Sequence, residues 1–206
     1  GSAVFGTLDL VGLDTGYHVM KNLYDAVPDD ECREIFVPSD VMSKMMEKKW
    51  LGNKTKQGFY KKTKDEKGKK VKLVLDYNAM EYVAPSKPKF ESVTAAKKLS
   101  DEGAAAMMKA LFNGTDVAGE VTREYLCNNF VYAANRIPEI CDNILAIDNA
   151  MKWGYNQQLG PFESWDAVGV KEAVDVMKKL KIKVPKKIEE MLKAGCASFY
   201  AKKDDG

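Results

Sequence analysis

His18 is the only imidazole in the 206 residues. A Ser-His-Asp triad, a paired-histidine zinc site and the usual histidine general base would all have to use this one side chain. It lies beside, and not on, the apolar stripe Leu13, Gly16, Tyr17 and Met20, which repeats at helical spacing. We therefore expect His18 to be a partly exposed helix residue and not a catalytic base.

Lysine side chains are concentrated in one short segment, where a basic surface could bind phosphate groups. Seven lysines stand against two acids in residues 61–72. Such a run suits the phosphates of a nucleic acid, but it holds no arginine and no stacking aromatic, which single-strand binding proteins use. A solvated edge hairpin, kept from aggregating by its lysines, is the simpler interpretation.

Composition restricts the class of protein further. Lys and Arg total 32 while Asp and Glu total 30, so the net charge of +2 excludes a basic field over the whole surface. No apolar run reaches eighteen residues, and the first residues lack a signal-peptide pattern. Cys32, Cys127, Cys141 and Cys196 form no CxxC pair, which argues against a zinc site or a redox dithiol. We expect a cytoplasmic protein with reduced thiols and no metal, and neither nucleic acid nor membrane as its partner.

The elements that carry these residues belong to an internal repeat. Residues 5–23 align without gaps on residues 162–180 and share Phe, Asp, Val-Gly, Val-Met-Lys and Leu at equivalent places. Further along, Val-Pro38 matches Val-Pro185, and Phe-Tyr60 matches Phe-Tyr200. Three matching blocks in one order indicate a duplicated unit: a helix, a turn, a second helix with proline in its first turn, and a short extended tail.

Apolar spacing predicts a mainly α fold of two related helical subdomains with one short β-hairpin. The stripe of the first copy recurs in the second as Val170, Ala173, Val174 and Met177. Strand-like alternation flanks only the segment 65–68, which predicts the hairpin.

The region before the second copy also has helical spacing. A long helical stretch is predicted over residues 115–147, and a second apolar stripe runs within it from Ile137 to Leu145. Pro138 lies within it and is expected to act as a kink or a restart.

We divide the chain into three parts. Residues 1–84 form the first helical copy with the hairpin, residues 85–114 form a linker with short helices, and residues 115–206 form the second copy. The second copy has an upstream half that the first copy lacks. We therefore expect the first copy to be truncated at its N-terminus, and Gly1-Ser2 to be compatible with a cloning scar.

Two pairs of motifs resemble a known family. Asp9-Leu-Val-Gly-Leu-Asp is followed by Leu51-Gly-Asn-Lys-Thr-Lys-Gln-Gly-Phe-Tyr, and Ile147-Asp-Asn-Ala-Met-Lys-Trp-Gly is followed by Gly160-Pro-Phe-Glu. Together they resemble the helical C-terminal domain of the 3-hydroxyacyl-CoA dehydrogenases. The duplication is similar to the bifunctional dehydrogenase/enoyl-CoA hydratase forms, and the implied fold is the helical repeat of the 6-phosphogluconate dehydrogenase C-terminal type.

This resemblance implies a function for a whole enzyme. Such enzymes oxidise a 3-hydroxyacyl-CoA to a 3-oxoacyl-CoA in fatty-acid β-oxidation by hydride transfer to NAD, and a Rossmann domain carries both the NAD and a His-Glu base. This chain has no Gly-x-Gly-x-x-Gly after a strand. We expect a substrate-capping and dimerisation domain whose partners are acyl-CoA, a missing Rossmann domain and a second copy. On its own it should have no catalytic residue, no cofactor and no activity.

The resemblance also suggests where the substrate is held. Lys54 and Lys56 precede Gly-Phe-Tyr60 in the motif loop and are the predicted contacts to the CoA phosphates, although plain surface lysines have the same pattern. The asparagine of the family's Gly-Phe-x-x-Asn-Arg motif has an imperfect counterpart in Asn135, which lies two residues too far from Phe130. We expect Asn135 to be structural.

Acidic and aromatic residues near the motifs have structural interpretations. Asp9 and Asp166 occupy the same place in both copies and are predicted to cap the start of the repeat helix. An aromatic group at the junction of two helices is predicted to be core and not an acyl pocket. It comprises Trp153, Tyr155, Phe162 and Trp165.

Two other functions stay open. One is a stand-alone, non-catalytic helical module that binds acyl-CoA or another hydrophobic ligand. The other is a nucleic-acid binder that uses the lysine hairpin. A dinucleotide fingerprint upstream in the reading frame selects the dehydrogenase domain over both.

Overall fold

The helices and strands of the computed structural model fall into two units, each with its own core. The structure describes residues 4–201; unit 1 spans Gly1–Lys87 and unit 2 spans Pro88–Gly206. The predicted mainly α fold is confirmed, while the division at 84 and 114 stays a prediction. None of the helices in the described part of the chain is long and apolar enough to cross a membrane.

Unit 1 begins with a helical corner. Its helices are α1 (Val4–Val11), α2 (Leu13–Ala26) and α3 (Asp40–Glu47), with 3-10 turns at Arg33–Phe36 and Asn53–Thr55. Gly12 joins α1 to α2 with a φ of 108°, a backbone conformation that glycine adopts without steric cost. Among the described residues, only Leu13, Met42 and Met45 are fully buried apolar side chains in the core of this unit.

A small antiparallel sheet completes unit 1. The strands β1 (Tyr60–Lys64), β2 (Lys70–Asp76) and β3 (Glu81–Val83) lie in that order across the sheet. Asp65 shapes the turn between β1 and β2, because its carboxylate accepts the N–H groups of Lys67 and Lys69 at 3.0 and 2.8 Å. The predicted hairpin is therefore present, and a third short strand extends it.

Unit 2 has a much larger core. Its helices are α4 (Glu91–Lys98), α5 (Ala104–Phe112), α6 (Val117–Asn135), α7 (Ile144–Tyr155), α8 (Pro161–Val168), α9 (Val170–Lys179) and α10 (Lys186–Lys193). Fifteen described residues are buried in this core, where the rings of Phe130 and Trp165 stack with centroids 5.0 Å apart. A large apolar side chain buried in this way stabilises a fold by about 1.5–3 kcal/mol. The predicted stripe of α9 lies in the same core.

The helical stretch predicted over residues 115–147 is two helices. α6 ends at Asn135, before Pro138, whose ring and missing N–H cannot continue a helix, and the next helix begins only at Ile144. The proline therefore neither kinks a helix nor restarts one. Asn143 caps α7 by accepting the N–H of Ala146 at 2.9 Å. The prediction of a helical stripe from Ile137 onward is wrong as far as residue 143, because these residues form turns and bends between the two helices.

The sequence repeat corresponds to equivalent elements, with α1, α2 and α3 matching α8, α9 and α10. Gly169 joins α8 to α9 with a φ of 100°, close to the 108° of Gly12. The prediction that Pro38 and Pro185 lie in the first turn of a helix is wrong. Ser39 is the N-cap of α3 after Pro38, and Pro185 is itself the N-cap of α10.

Asp116 ties the start of α6 to α4. Its carboxylate accepts the hydroxyl of Ser92 at 2.6 Å and the N–H groups of Ser92 and Gly119 at 3.0 and 3.1 Å. The Ser92 hydroxyl, followed by these backbone donors, lowers the pKa of Asp116 to about 2.

We expect Asp116 to make unit 2 less stable in acid. The folded-state pKa lies below the ordinary value of about 3.9, so the stabilisation is complete above pH 4 and is lost as the pH falls through about 2. Asp116→Asn should flatten the pH dependence of the free energy of unfolding between pH 4 and 2, measured with urea. The control Asp175→Asn changes an exposed residue of α9 and should keep the slope; an equal slope in both variants would contradict the assignment.

Candidate functional site

Two aspartates hold the Phe-Tyr tails of the two copies in the same way. Asp9 of α1 is buried, and its carboxylate accepts the N–H groups of Phe59 and Tyr60 at 2.8 and 2.9 Å. Asp166 of α8 accepts the N–H groups of the equivalent pair, residues 199–200, at 2.8–3.1 Å. Each carboxylate therefore fixes an extended tail against the first helix of its copy.

The prediction that Asp9 and Asp166 cap the start of a helix is wrong. Both lie in the second half of their helix, because α1 begins at Val4 and α8 begins at Pro161. The glycine corner that follows ends each helix, so the repeat contains two helices where the sequence spacing suggested one. The N–H groups that these aspartates bind belong to the tail and not to a helix start.

A third aspartate, Asp148 of α7, caps α8 from the neighbouring helix. It is fully buried, and its carboxylate accepts the N–H groups of Phe162 and Glu163 at 2.8 and 2.9 Å and the hydroxyl of Tyr200 at 2.9 Å. The first N–H groups of a helix have no acceptor within it, so Asp148 supplies one. The Ile-Asp-x-Ala-Met motif thus carries a structural carboxylate.

Burial controls the electrostatics around Asp148. It raises the pKa of Asp148 above the ordinary value, against the lowering effect of the hydrogen bonds that the carboxylate accepts. Burial, with Asp148 beside it, also raises the pKa of Tyr200, so this hydroxyl stays protonated and donates. Gly160 lets the chain approach closely, since a Cβ there would lie 2.4 Å from the Cα of Asp148.

An ion pair closes the outer side of this network. The ammonium of Lys152 lies 2.5 Å from Oε1 of Glu163, whose other oxygen accepts the N–H of Gly160 at 2.8 Å. The N–H groups of Gly160, Phe162 and Glu163 and the carboxylate of Glu163 are therefore all paired within unit 2. The arrangement positions α7 and α8 and presents no free carboxylate to a substrate.

The two predicted substrate-binding lysines have different surroundings. Nζ of Lys54 lies 2.5 and 2.6 Å from the carboxylate oxygens of Asp14, and this hydrogen-bonded pair lowers the pKa of Asp14. The structure gives Lys56 no ion-pair partner within residues 4–201. Lys56 lines a polar cavity together with Lys62 and Lys72. Contact of Lys54 and Lys56 with CoA phosphates stays a prediction, and these surroundings favour Lys56.

A polar and an apolar cavity of unit 1 both have Tyr60 in their walls. The polar cavity has a volume of about 430 Å³ and is lined by Gly6, Asp9, Asn53, Lys56, Tyr60, Lys62 and Lys72. The apolar cavity has a volume of about 380 Å³, and its walls include Phe5, Leu8, Val41, Met42, Phe59 and Leu75. Tyr60 therefore borders both the cavity that carries positive charge and the apolar cavity.

Part of the lysine hairpin covers aromatic rings. The ammonium of Lys72 lies 3.5 Å from the ring centroid of Tyr60, and that of Lys61 lies 5.3 Å from the ring of Tyr82. The Tyr82 hydroxyl donates to the carbonyl of Gly58 at 2.6 Å, and burial raises the pKa of Tyr82 to about 12. These pairs could not be predicted from the sequence, because they depend on the pairing of the strands and the tyrosines lie outside residues 61–72.

His18 lies on the exposed face of α2, where its ring is edge-on to Tyr17 at 6.0 Å. The structure shows no carboxylate hydrogen-bonded to this imidazole within residues 4–201. In the same part of the chain, no group of three or more His, Cys, Asp or Glu side chains is placed to hold a metal ion. Asn135, the last residue of α6, is half-buried and engaged by its neighbours.

The predicted aromatic core is correct for two residues and wrong for two. Phe162 and Trp165 are buried in the core of unit 2. Trp153 and Tyr155, in the last turn of α7, are 80% and 75% exposed. Neither pair lines either of the cavities described above.

The described residues do not fit a dinucleotide. NAD is usually held by a glycine-rich turn that joins a parallel strand to a helix N-terminus. Here β1, β2 and β3 are antiparallel, and β3 continues into a proline-containing segment before α4.

Comparison with known proteins shows what this chain is similar to. Residues 2–62 match the family model described as "3-hydroxyacyl-CoA dehydrogenase, C-terminal domain". The resemblance to this family is confirmed. A "Probable 3-hydroxyacyl-CoA dehydrogenase" of Bacillus subtilis (strain 168) is 42% identical over 203 residues, which are 98% of this chain and 25% of that protein. A "Fatty acid oxidation complex subunit alpha" of Acinetobacter baylyi is 37% identical over 108 residues, covering 52% of this chain and 14% of that protein.

The relatives named as 3-hydroxyacyl-CoA dehydrogenases are longer than this chain. The chain spans about a quarter of the length of the Bacillus subtilis protein. The crystal structure of 3-hydroxybutyryl-CoA dehydrogenase from Escherichia coli K12 aligns over 93% of this chain and 51% of its own, with a TM-score of 0.54 and 15% identity. That likeness supports the helical fold alone.

Proposed function

We propose that this chain is the helical substrate-capping and dimerisation part of an NAD-dependent 3-hydroxyacyl-CoA dehydrogenase of fatty-acid β-oxidation. The observation that carries the proposal is the 42% identity to the Bacillus subtilis dehydrogenase over 98% of the chain. In this role the chain faces a 3-hydroxyacyl-CoA substrate while NAD and the catalytic base are held by a Rossmann domain. The enzyme works in the cytoplasm as a homodimer.

The geometry of unit 1 supports the substrate side of this proposal. The polar cavity offers the ammonium groups of Lys56, Lys62 and Lys72 to the phosphates of CoA. The apolar cavity beside Tyr60 offers a surface to an acyl chain. The ion pair with Asp14 offsets the charge of Lys54, so Lys54 attracts a phosphate less strongly than Lys56 does.

The same cavities also favour a second function, a non-catalytic helical module that binds acyl-CoA or another hydrophobic ligand. Tyr60 lines both the cavity that holds the lysines and the apolar cavity, and this observation favours the binding module. The two functions predict different domains in the longer protein. A dinucleotide-binding domain in the same reading frame selects the dehydrogenase part, and its absence there selects the module.

We expect the chain to bind acetoacetyl-CoA and Lys56→Ala to weaken that binding about threefold. An exposed lysine that contacts a phosphate contributes about 0.2–1 kcal/mol, and 1.4 kcal/mol corresponds to tenfold in affinity. Lys54→Ala should have a smaller effect, because Asp14 holds the Lys54 ammonium. The dissociation constants can be measured by the quenching of tryptophan fluorescence.

The matched control for this titration is Lys179→Ala, which removes an exposed lysine at the end of α9 in unit 2. It should bind acetoacetyl-CoA like the unmodified chain. Equal weakening by Lys56→Ala and Lys179→Ala would show that only net charge matters. Absence of acetoacetyl-CoA binding would contradict the substrate-capping role.

A further inference from the structure

The connection between the second and third helices of each copy carries opposite charge in the two copies. In unit 1 this connection and its flanking residues, 25–40, hold six acids and one arginine, and we call them the acidic segment. The equivalent residues of unit 2, 178–187, hold six lysines and no acid, and we call them the basic segment. Because the same arrangement of helix, connection and helix forms with either charge, the fold itself does not require these charges.

The helices that flank the two segments account for only some of the charged residues. Asp40 at the start of α3, and Lys178 and Lys179 at the end of α9, agree with the helix dipole. Asp25 lies in the last turn of α2, where the dipole favours a cation. Lys186 is the first residue of α10, where the dipole favours an acid. Helix stability therefore does not explain why each segment has a single sign of charge.

The basic segment presents most of its lysines to solvent. Lys187 donates to the carbonyl groups of Ala134 and Ile137 around the end of α6. The other five lysines are exposed, and the structure gives them no ion-pair partner within residues 4–201. Leu180 lies among them and is 44% exposed. The segment therefore combines positive charge that no acid of unit 2 balances with a small apolar surface.

The acidic segment has a complementary surface. Asp29 and Glu34 are exposed, and Ile35 beside them is 67% exposed. The guanidinium of Arg33 lies 3.8 Å from the ring centroid of Tyr24, and its Nε donates to the Tyr24 carbonyl at 2.7 Å, so the arginine is directed at α2. Exposed apolar residues with a charged rim are the usual anatomy of a protein–protein interface.

We propose that the acidic segment of one copy of this chain binds the basic segment of a second copy. A nucleic acid or an anionic lipid surface would match the basic segment alone, whereas a second copy matches both segments. Each chain carries one segment of each charge, so two copies can form two such contacts. The inference rests on the proposed dimerisation role and deepens it by naming the surfaces that meet.

The test is a charge swap, followed by sedimentation velocity of the full chain over a range of concentrations at low salt. Asp29→Lys with Glu34→Lys reverses two charges of the acidic segment, and Lys183→Glu with Lys186→Glu reverses two of the basic segment. We expect either pair alone to raise the dimer dissociation constant about tenfold, because attraction becomes repulsion. All four changes together should return it to within about threefold of the unmodified chain, because the segments are again of opposite charge.

The matched control is Lys97→Glu with Lys98→Glu, which reverses two exposed charges at the end of α4 in unit 2. It changes the net charge as much as the pair in the basic segment does, and it should leave the dissociation constant unchanged. Salt at about 0.5 M should weaken the association of the unmodified chain, because it screens the charges.

Three results would overturn the proposal. A chain that stays monomeric at every concentration has no contact between copies, and this result also contradicts the homodimer of the proposed function. A dissociation constant that neither pair of reversals changes shows that the dimer forms through other surfaces, and it leaves the homodimer itself in place. Weakening by each pair that the four changes together do not reverse shows that the two segments do not face each other.

Discussion

Asp148→Ala is expected to lower the stability of unit 2 by about 3–5 kcal/mol. The substitution leaves the N–H groups of Phe162 and Glu163 and the hydroxyl of Tyr200 without their acceptor. A buried donor that loses its partner costs about 1–3 kcal/mol. The loss also frees the start of α8, which carries Trp165 into the core.

This effect of Asp148→Ala can be measured as the change in free energy of unfolding in urea, followed by tryptophan fluorescence. Asp175→Ala is the matched control, because it removes an exposed aspartate from α9 of the same unit. It should change stability by less than about 0.5 kcal/mol. The loss of stability in Tyr200→Phe should lie between those of Asp148→Ala and Asp175→Ala, since it removes one of the three donors to Asp148. A loss below about 1 kcal/mol for Asp148→Ala would contradict the capping role.

Asp9→Ala is expected to destabilise unit 1 by about 2–4 kcal/mol and to leave unit 2 unchanged. Two backbone N–H groups, those of Phe59 and Tyr60, lose a buried acceptor at about 1–3 kcal/mol each. Asp166→Ala should have the opposite pattern, with its effect confined to unit 2. The matched control is Asp25→Ala, which changes an exposed residue of α2.

Amide hydrogen exchange is the measurement that separates these two variants. Two units with separate cores need not unfold in one step, so a single melting temperature does not report on each. Faster exchange in β1 for Asp9→Ala, and around residues 199–200 for Asp166→Ala, confirms that the two carboxylates have the same role. Faster exchange in the same unit for both variants contradicts it.

The helical architecture could be predicted from the sequence because the repeat left a clear signal. Val170, Ala173, Val174 and Met177 have helical spacing and are buried. The third strand could not be predicted in the same way, because three residues around Tyr82 are too few to show alternation. Its place is set by packing, since Trp50 lies against the Tyr82 ring at 5.1 Å.

The site was harder to predict, because its important contacts join residues far apart in the sequence. Asp9 and Asp166 were found by their repeated position, yet their partners lie in the tails and not in the next turn of the chain. Asp148 belongs to the Ile-Asp-x-Ala-Met motif. A carboxylate among apolar helix residues is the sequence feature that could have indicated its burial. Phe5 and Val11 of α1 are about half exposed, whereas their counterparts Phe162 and Val168 of α8 are buried, so spacing alone cannot show which of the two helices is covered.

We propose that this chain forms the substrate side of a dehydrogenase and holds none of its redox machinery. This proposal is tested most directly by calorimetric titration of the chain with NAD and with acetoacetyl-CoA, together with an assay of NADH oxidation. We expect heat of binding with acetoacetyl-CoA, none with NAD, and no turnover, because the described strands form no dinucleotide turn and His18 is exposed on α2. Micromolar NAD binding, or turnover that His18→Ala abolishes, would contradict it.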